Sequence, residues 1–491
     1  MLSHLAILQV ILPLLGAPAC LILGRAKLAW VFALLVSALA LVISALLLNQ
    51  VYSLGTLSYE LGGWAAPWGI EYRIDLLNGW LLFIVSLSST ASLIAAHTSI
   101  SREIADDKQL YFYVAWLLCL AGLLGILATG DAFNIFVFLE ISSLSTYTLI
   151  SLGQKRQALW AAFRYLIMGT IGATFILIGI GFMYMMTGTL NLADLAERLP
   201  DASSSHTVFA AYAFIVVGIG LKLALFPLHF WLPNAYTYAP SIVTAFLAAS
   251  STKVAIYLLI RFSYTVFGGD LRSAGLPLPD ILIGLGIIAV FSASTAAIYQ
   301  ADIKRAIAYS SIGQIGYMVV GLGIGGLLGL QATLLHLFNH ALMKSALFLS
   351  LAAMALRLGS TQLADLHGLG KRMPITAFSF VVGGLSLIGV PLTVGFISKW
   401  YLVTAAIADG RWPLALLVVL GSLLAIAYIW RVVEAMYFKA APTGSATGEA
   451  PLLVLLPLWL MITANLYFGI DTRLPLAITA DAARSLLEAV Q

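Results

Sequence analysis

The sequence has 491 residues, of which 61% are hydrophobic and 9% are charged, and its mean hydropathy is +1.01. Soluble domains carry about 25% charged residues, so this composition excludes a soluble enzyme and indicates a membrane protein. The formal net charge is only +4, and the basic residues are scattered between apolar runs. Because this scatter leaves no continuous basic face, nucleic-acid binding is excluded as well.

Apolar runs bounded by charged or Gly/Pro-rich connectors occur fourteen times, and a bilayer crossing takes about 20 helical residues. They predict membrane-spanning helices at 4–23, 28–48, 75–97, 110–128, 131–150, 158–187, 207–229, 241–262, 277–300, 303–325, 331–356, 375–404, 412–437 and 451–469. Residues 51–74 alternate in polarity and contain Gly62 and Gly63, which predicts an extramembrane β-hairpin. The residues after 470 predict a short surface helix at most.

The first apolar run is predicted to be a retained span. Its first basic residues, Arg25 and Lys27, follow the run, whereas a cleavable signal peptide has a basic region before it. The protein is therefore expected to be an all-α polytopic protein of the plasma membrane.

Orientation follows from the positive-inside rule. Connectors after odd-numbered spans, with the edges of their helices, carry twelve basic residues: Arg25, Lys27, Arg102, Lys108, Lys155, Arg156, Lys304, Arg305, Arg357, Lys371, Arg372 and Lys439. Connectors after even-numbered spans, with the tail, carry seven: Arg73, Arg198, Arg261, Arg272, Arg411, Arg473 and Arg484. This asymmetry predicts that both termini lie outside the cytoplasm.

No cofactor is indicated. Cys20 and Cys119 lie far apart in apolar runs, which favours neither a disulfide nor a metal cluster. The sequence carries no ligation pattern for haem or iron–sulfur clusters, so any electron transfer would belong to partner chains.

Eight charged residues fall inside the predicted spans, and they are the strongest functional indication. They are Glu140, Arg164, Lys222, Lys253, Lys344, Lys399, Arg431 and Glu434. Each buried charge costs at least about 2.5–3.5 kcal/mol at a helix centre, so eight of them in one chain call for a role. Arg431 and Glu434 are three residues apart and are expected to pair with each other.

Glu140 and three lysines, Lys222, Lys253 and Lys399, are predicted near the middle of the bilayer. A buried lysine that gains and loses a carboxylate partner can take up and release a proton, which is the chemistry of a relay. The alternative is a permanent ion pair between Glu140 and one lysine that only specifies packing. One pair would serve that purpose, whereas a series of lysines needs another explanation.

Prolines mark two of these spans as broken helices. Pro227 follows Lys222 by five residues, and Pro391 precedes Lys399 by eight. A proline frees a backbone carbonyl inside the span, which is tolerated where the gap lines a hydrated or protein-enclosed cavity. An ordinary proline kink is the alternative.

His336, His340 and Lys344 are spaced at four-residue intervals and form one polar stripe on a helix. Such a stripe can exchange protons near neutral pH. The alternatives are satisfied core histidines or a metal site, and the second lacks a nearby Cys or carboxylate ligand.

Four segments resemble the antiporter-like subunits shared by respiratory complex I, membrane-bound hydrogenases and Mrp-type cation/proton antiporters. The segments are TGDAFNIFVFLEISSLSTYTLIS, GLKLALFPLHFWLPNAYTYAPSIVTAFLAASSTKVAIYLLIR, HLFNHALMKSALFL and LIGVPLTVGFISKWYL. Within this family, GDAFNIFVFLE is most similar to the D-type chain of Mrp antiporters. Lys399 differs from the glutamate of the M-type subunit of complex I.

The resemblance implies fourteen helices with two inverted five-helix repeats, here about 110–262 and 277–437, each containing a broken helix. Residues 1–109 would hold the first three helices and the hairpin, and 451–491 the last helix and tail. Glu140 and Lys222 would form the charged pair of the first half-channel, Lys253 and the His336, His340 and Lys344 stripe the central connection, and Lys399 the exit group.

The function implied by the resemblance is that of a proton-translocating subunit in a multisubunit Na⁺/H⁺ antiporter, with other membrane subunits as partners. The alternative is a pumping subunit of a complex I-like NADH dehydrogenase or a membrane-bound hydrogenase.

The predicted orientation is open to a direct test. A reporter fused after Gln491 is expected to face the periplasm. The reason is that the larger number of basic residues places the connectors after odd-numbered spans on the cytoplasmic side, and the tail follows an even-numbered span. Paired alkaline phosphatase and green fluorescent protein fusions measure the side, and a fluorescent, full-length fusion would contradict the assignment.

Overall fold

A computed structural model of the chain describes residues 4–202, 205–268, 277–441 and 448–488. Arg272, one of the seven basic residues counted above, and Gln491 lie outside these ranges.

The described residues form twenty α-helices and one two-stranded antiparallel sheet. The first helices and the strands are α1 Leu5–Leu23, α2 Ala26–Leu54, β1 Leu57–Glu60, β2 Glu71–Ile74, α3 Leu76–Glu103, α4 Gln109–Ala128, α5 Ala132–Ser151 and α6 Arg156–Thr187. The middle helices are α7 Leu192–Arg198, α8 His206–Leu223, α9 Leu232–Tyr238, α10 Ser241–Ala249, α11 Ser251–Ile260, α12 Leu278–Ile298, α13 Ile303–Ile324 and α14 Gly326–Leu358. The last are α15 Leu369–Arg372, α16 Pro374–Ile388, α17 Val394–Ala408, α18 Trp412–Phe438, α19 Leu452–Ile470 and α20 Arg473–Glu488.

Within the described ranges, thirteen helical segments are long and apolar enough to cross a membrane, with α10, α11 and a following π-helical turn counted as one. The shorter apolar helices α16 and α17 together cover the remaining one of the fourteen predicted runs, 375–404. The expected all-α polytopic fold is therefore confirmed. The predicted hairpin is also present, with Leu57 opposite Ile74 and Glu60 opposite Glu71.

Both predicted helix breaks are present. Helix α8 ends at Leu223, and Ala224 takes a left-handed conformation (φ 59°) before Pro227 and α9. The indole N–H of Trp231 donates to the carbonyl of Leu221 at 2.9 Å, so one carbonyl near the break finds a partner. Helix α16 ends at Ile388, and Gly389 (φ 95°) begins the turn that leads to α17.

A third break lies inside the run 241–262, which the sequence predicts as one uninterrupted helix. Helix α10 ends at Ala249 and α11 begins at Ser251, with Ser250 at φ −121° and ψ −63°. Neither proline nor glycine occurs in this stretch. The Ser250 hydroxyl donates to the Phe246 carbonyl at 2.7 Å, and such back-bonding competes with the regular helix.

Two matching backbone bridges relate the halves of the chain. The amides of Ala132 and Leu192 donate to the carbonyls of Leu190 and Gly130, both at 2.8 Å. The amides of Ile303 and Leu363 donate in the same pattern to Thr361 and Ala301, both at 2.9 Å. At each bridge an aspartate, Asp131 or Asp302, caps the helix that follows.

The two bridges lie on opposite sides of the membrane, because the first joins connectors that follow even-numbered spans and the second joins connectors that follow odd-numbered spans. This is the arrangement expected for inverted repeats. The repeat boundaries 110–262 and 277–437 stay a prediction. The side that carries β1, β2 and α20 is called the strand face below, and the other side the opposite face.

Helices α3, α4, α10, α11, α13 and α14 form the centre of the bundle, since they are the most buried of the spans. Helices α1, α2, α6, α12, α18 and α19 surround them with one side exposed. The stripe on α14 and Lys253 on α11 consequently lie in the interior, away from lipid.

Candidate functional site

Lys222 lies in the last turn of α8, at the first break, and its side chain is 7% exposed. Its Nζ donates to the Ser143 hydroxyl at 2.7 Å and lies 3.9 Å from Glu140 Oε1. The second distance is too long for a hydrogen bond, so the carboxylate acts on the lysine as a nearby charge. Glu140 Oε1 is buried and has no hydrogen-bond partner. The predicted pair is thus brought together, with a serine beside it.

Aromatic side chains and one glycine shape this part of the site. The Tyr147 hydroxyl lies 3.5 Å from Lys222 Nζ, and the Tyr165 ring stacks on Trp231 with centroids 3.7 Å apart. A Cβ at Gly169 on α6 would overlap the Tyr147 hydroxyl and lie 3.4 Å from Lys222 Nζ. A side chain at position 169 would therefore displace Tyr147 from the lysine.

A small cavity of about 40 Å³ extends from Lys222 toward α11. Ser142, Ser143, Thr146 and Ser251 contribute to its lining, and the Ser251 hydroxyl is buried without a partner. A polar cavity of this size has room for a water molecule. The cavity extends from Lys222 to Ser251, the first residue of α11, two residues before Lys253.

Lys253 is fully buried on α11. Its Nζ donates to the carbonyl of Ala248, which belongs to the last turn of α10, and lies 3.4 Å from the Thr252 hydroxyl. The unpredicted break between α10 and α11 therefore leaves a backbone carbonyl with which this lysine bonds.

The predicted stripe is present on α14 and is fully buried. His336 Nδ1 lies 2.8 Å from the Ser398 hydroxyl, and the rings of His336 and His340 are parallel with centroids 6.1 Å apart. Neither ring nitrogen of His340 has a hydrogen-bond partner within the described part of the chain. Lys344 Nζ donates to the Ile307 carbonyl at 2.8 Å and to the Ser310 hydroxyl at 2.6 Å.

Lys253 approaches this stripe from α11 closely enough to interact electrostatically with His340 and Lys344. The three residues lie at the centre of the bundle, near the place where α10 packs against α14.

Lys399 lies on α17 just after the second break. Its Nζ donates to the carbonyls of Leu387 and Ile388, at 2.8 and 2.9 Å, in the last turn of α16. It also lies 5.0 Å from the centre of the Tyr317 ring. The neighbouring Ser398 contacts His336, so Lys399 adjoins the end of the stripe.

All seven sequence-predicted residues thus lie in one series, from Glu140 and Lys222 through Lys253, His340 and Lys344 to His336 and Lys399. Among the described residues, no group of three or more His, Cys, Asp or Glu side chains is arranged to hold a metal ion. Cys20 and Cys119 are buried and unpaired.

Three other intramembrane charges do not join the series. Arg164 is exposed on α6 and lies over the Trp160 ring, 5.4 Å from its centre. The expected pairing of Arg431 with Glu434 is not present, because Glu434 pairs with Lys439 at 3.6 Å. Arg431 instead contacts the Gln300 carbonyl at 3.5 Å.

Sequence reasoning missed several polar partners of the series, namely Ser143, Tyr147, Ser310, Tyr317 and Ser398. It also counted Lys304 as a connector residue, whereas Lys304 is 5% exposed and donates to the Ala239 carbonyl at 2.6 Å.

Comparison with known proteins agrees with this architecture. Residues 129–425 match the family described as NADH:quinone oxidoreductase/Mrp antiporter, TM. The chain is 44% identical over 457 residues to the N-type chain of NADH-quinone oxidoreductase from Desulforudis audaxviator, covering 92% of this chain and 90% of the relative. It is 34% identical over 375 residues to the D-type chain of the Na(+)/H(+) antiporter from Alkalihalophilus pseudofirmus, covering 76% and 75%.

Among solved structures, a chain of the membrane-bound sulfane sulfur reductase, an archaeal respiratory membrane complex, superposes with a TM-score of 0.92. The match has 30% sequence identity and covers 99% of this chain and 98% of that chain. By its matched residues and its overall fold, the chain belongs to the NADH:quinone oxidoreductase/Mrp antiporter family of membrane subunits.

Proposed function

We propose that the chain is the proton-translocating subunit of a multisubunit monovalent cation/proton antiporter in the plasma membrane. The observation that best supports this proposal is the buried series of four lysines and two histidines, in which one carboxylate, Glu140, lies beside the first lysine. The 34% identity to the D-type chain of an Na(+)/H(+) antiporter supports the antiporter assignment. Its partners are the other membrane subunits of such a complex.

The setting of the lysines supports a relay over a packing role. Lys253 and Lys399 bond to carbonyls in the last turn of a broken helix, and Lys222 lies in such a turn itself. The carboxyl end of a helix carries partial negative charge and stabilises a cation there. These lysines can therefore hold a proton without a permanent carboxylate partner, and release it when a neighbouring group becomes charged.

The unpartnered nitrogens at the centre support the same proposal. Buried polar atoms without a partner are rare in folded proteins, and His340 has two of them while His336 Nε2 is a third. A neutral imidazole can accept a proton at one nitrogen and donate one from the other. The stripe is thus suited to passing protons between Lys344 or Lys253 and Lys399.

Glu140→Ala is expected to lower the initial rate of proton flux at least tenfold, because Lys222 loses the charge that favours its protonation. The measurement is ΔpH-dependent flux in everted vesicles at matched abundance of the complex. Glu434→Ala is the control, since Glu434 is half-exposed and pairs with Lys439 outside the series. Near-normal flux in Glu140→Ala would contradict the relay and favour a packing role.

Lys399→Met and Lys399→Ala are expected to be inactive, while Lys399→Glu retains measurable flux with an altered pH profile. A protonated glutamate can still donate to the Leu387 or Ile388 carbonyl, whereas methionine cannot carry a proton at all. Flux at several pH values, with assembly checked on native gels, distinguishes these cases. If methionine supports transport as well as lysine does, Lys399 carries no proton.

A redox-driven pump is the second candidate, because the chain is 44% identical to the N-type chain of an NADH-quinone oxidoreductase. In that case the same relay would work under the control of electron transfer in partner chains.

Addition of Na⁺ to everted vesicles that hold a ΔpH distinguishes the two candidates. We expect Na⁺ to dissipate the gradient in vesicles with the complete complex and to have little effect with the purified chain alone. The reason is that the series offers protons a path but offers a metal cation few oxygen ligands. Proton pumping that requires an electron donor and ignores Na⁺ would favour the redox candidate instead.

A further inference from the structure

A polar cavity of about 330 Å³ opens on the strand face, outside the series described above. Its lining includes Thr56, Arg73, Asp75, Asn78, Glu197 and Ser485. Arg73 has a side chain that is 49% exposed, and Ser485 belongs to α20. The cavity is polar and large enough for several water molecules.

A buried ion pair lies against this cavity. Arg261 Nη2 is 2.6 Å from Asp75 Oδ2, and the two side chains are 9% and 21% exposed. The other oxygen of Asp75 accepts from the Asn78 amide at the start of α3. Arg261 lines the cavity, together with Tyr257 one turn before it.

Arg261 continues a polar column that begins at Lys253. Lys253, Tyr257 and Arg261 are spaced at four-residue intervals, so they lie on one side of the helix with about 6 Å of rise between neighbours. Arg261 Nε donates to the Tyr257 hydroxyl at 3.2 Å, and that hydroxyl lies 3.4 Å from the Leu127 carbonyl. Within this column, Tyr257 lies between Arg261 and the lysine.

Packing alone does not require a charged pair at this position. Taking two charges out of water costs several kcal/mol per ion, and a tyrosine bonded to the Leu127 carbonyl would close this position without any charge. The charged pair stands where the column from Lys253 meets the cavity, and both of its members line that cavity.

We propose that Asp75 and Arg261 gate a hydrated route that joins Lys253 to the aqueous phase on the strand face. With the pair formed, Arg261 holds the hydroxyl of Tyr257, which itself lines the cavity, and water stops at Tyr257. When the pair separates, the Tyr257 side chain is released, water passes it and reaches Lys253, and the Lys253 ammonium releases its proton to this water and becomes a neutral amine. Arg261 stays charged throughout. The part played by Lys253 as proton carrier rests on the proposed function, whereas the hydrated route does not.

Cysteine protection tests the route without any transport measurement. In a background of Cys20→Ala and Cys119→Ala, Lys253→Cys is exposed to Ag⁺ from the strand face, and the remaining thiol is titrated with a maleimide after denaturation. Ag⁺ is small enough to follow a narrow water path. Adding Arg261→Gln or Asp75→Asn is expected to raise the rate of protection at least tenfold. Asn in place of Asp75 keeps a side-chain oxygen for the α3 cap.

Arg73→Gln is the matched control, because it removes a charge from the same cavity without touching the pair, and it is expected to leave the rate unchanged. Protection from the opposite face should not change in any variant, which separates an opened gate from general loosening. Equal rates with and without the pair, or an increase from both faces, would overturn the proposal. If Glu140→Ala shows near-normal proton flux while the protection rates change as expected, the proposed function is refuted and the hydrated route is retained.

Discussion

The arrangement depends on one interaction, which is the bond between a buried lysine and the carbonyls that a broken helix leaves without partners. Inside a bilayer, a free carbonyl and an isolated ammonium group are each costly. At Lys253 and Lys399 each satisfies the other, since the lysine supplies donors and the helix end supplies acceptors and partial negative charge. The breaks therefore determine where positive charge can reside in the membrane.

Much of the fold can be predicted from the sequence alone, because apolar runs directly indicate membrane-spanning helices and two of the three helix breaks contain a proline. The break at Ser250 does not follow, since the stretch contains no proline or glycine and the bond of the Ser250 hydroxyl to the Phe246 carbonyl is of a kind that also occurs in unbroken helices. The charged residues of the series could be found because charge inside a span is rare. Their serine and tyrosine partners could not, since such residues occur in many spans and only packing across distant helices selects Ser143 or Ser398.

Charge inside a predicted span does not by itself identify the residues of the buried series. Arg164 satisfies the same criterion as Lys222 but lies exposed on the outer side of α6, over the Trp160 ring. Lys304 fails the criterion because it follows a connector, yet it is buried beside α9. The position of a residue within a predicted span gives its depth in the membrane. Whether its side chain faces the interior or the outside depends on which helices surround it.

The parallel rings of His336 and His340 bear on ion selectivity. Their centroids are 6.1 Å apart, too far for direct transfer between the rings, so the proposed relay needs an intervening donor and acceptor such as water at this interval. A sodium ion would need several oxygen ligands at about 2.4 Å, in surroundings where the neighbouring lysines repel it when they are protonated. Under the proposed function, the centre of the chain discriminates against metal cations by charge and by ligand type, and exchange of Na⁺ for H⁺ is coupled between separate paths, with the cation travelling outside this series.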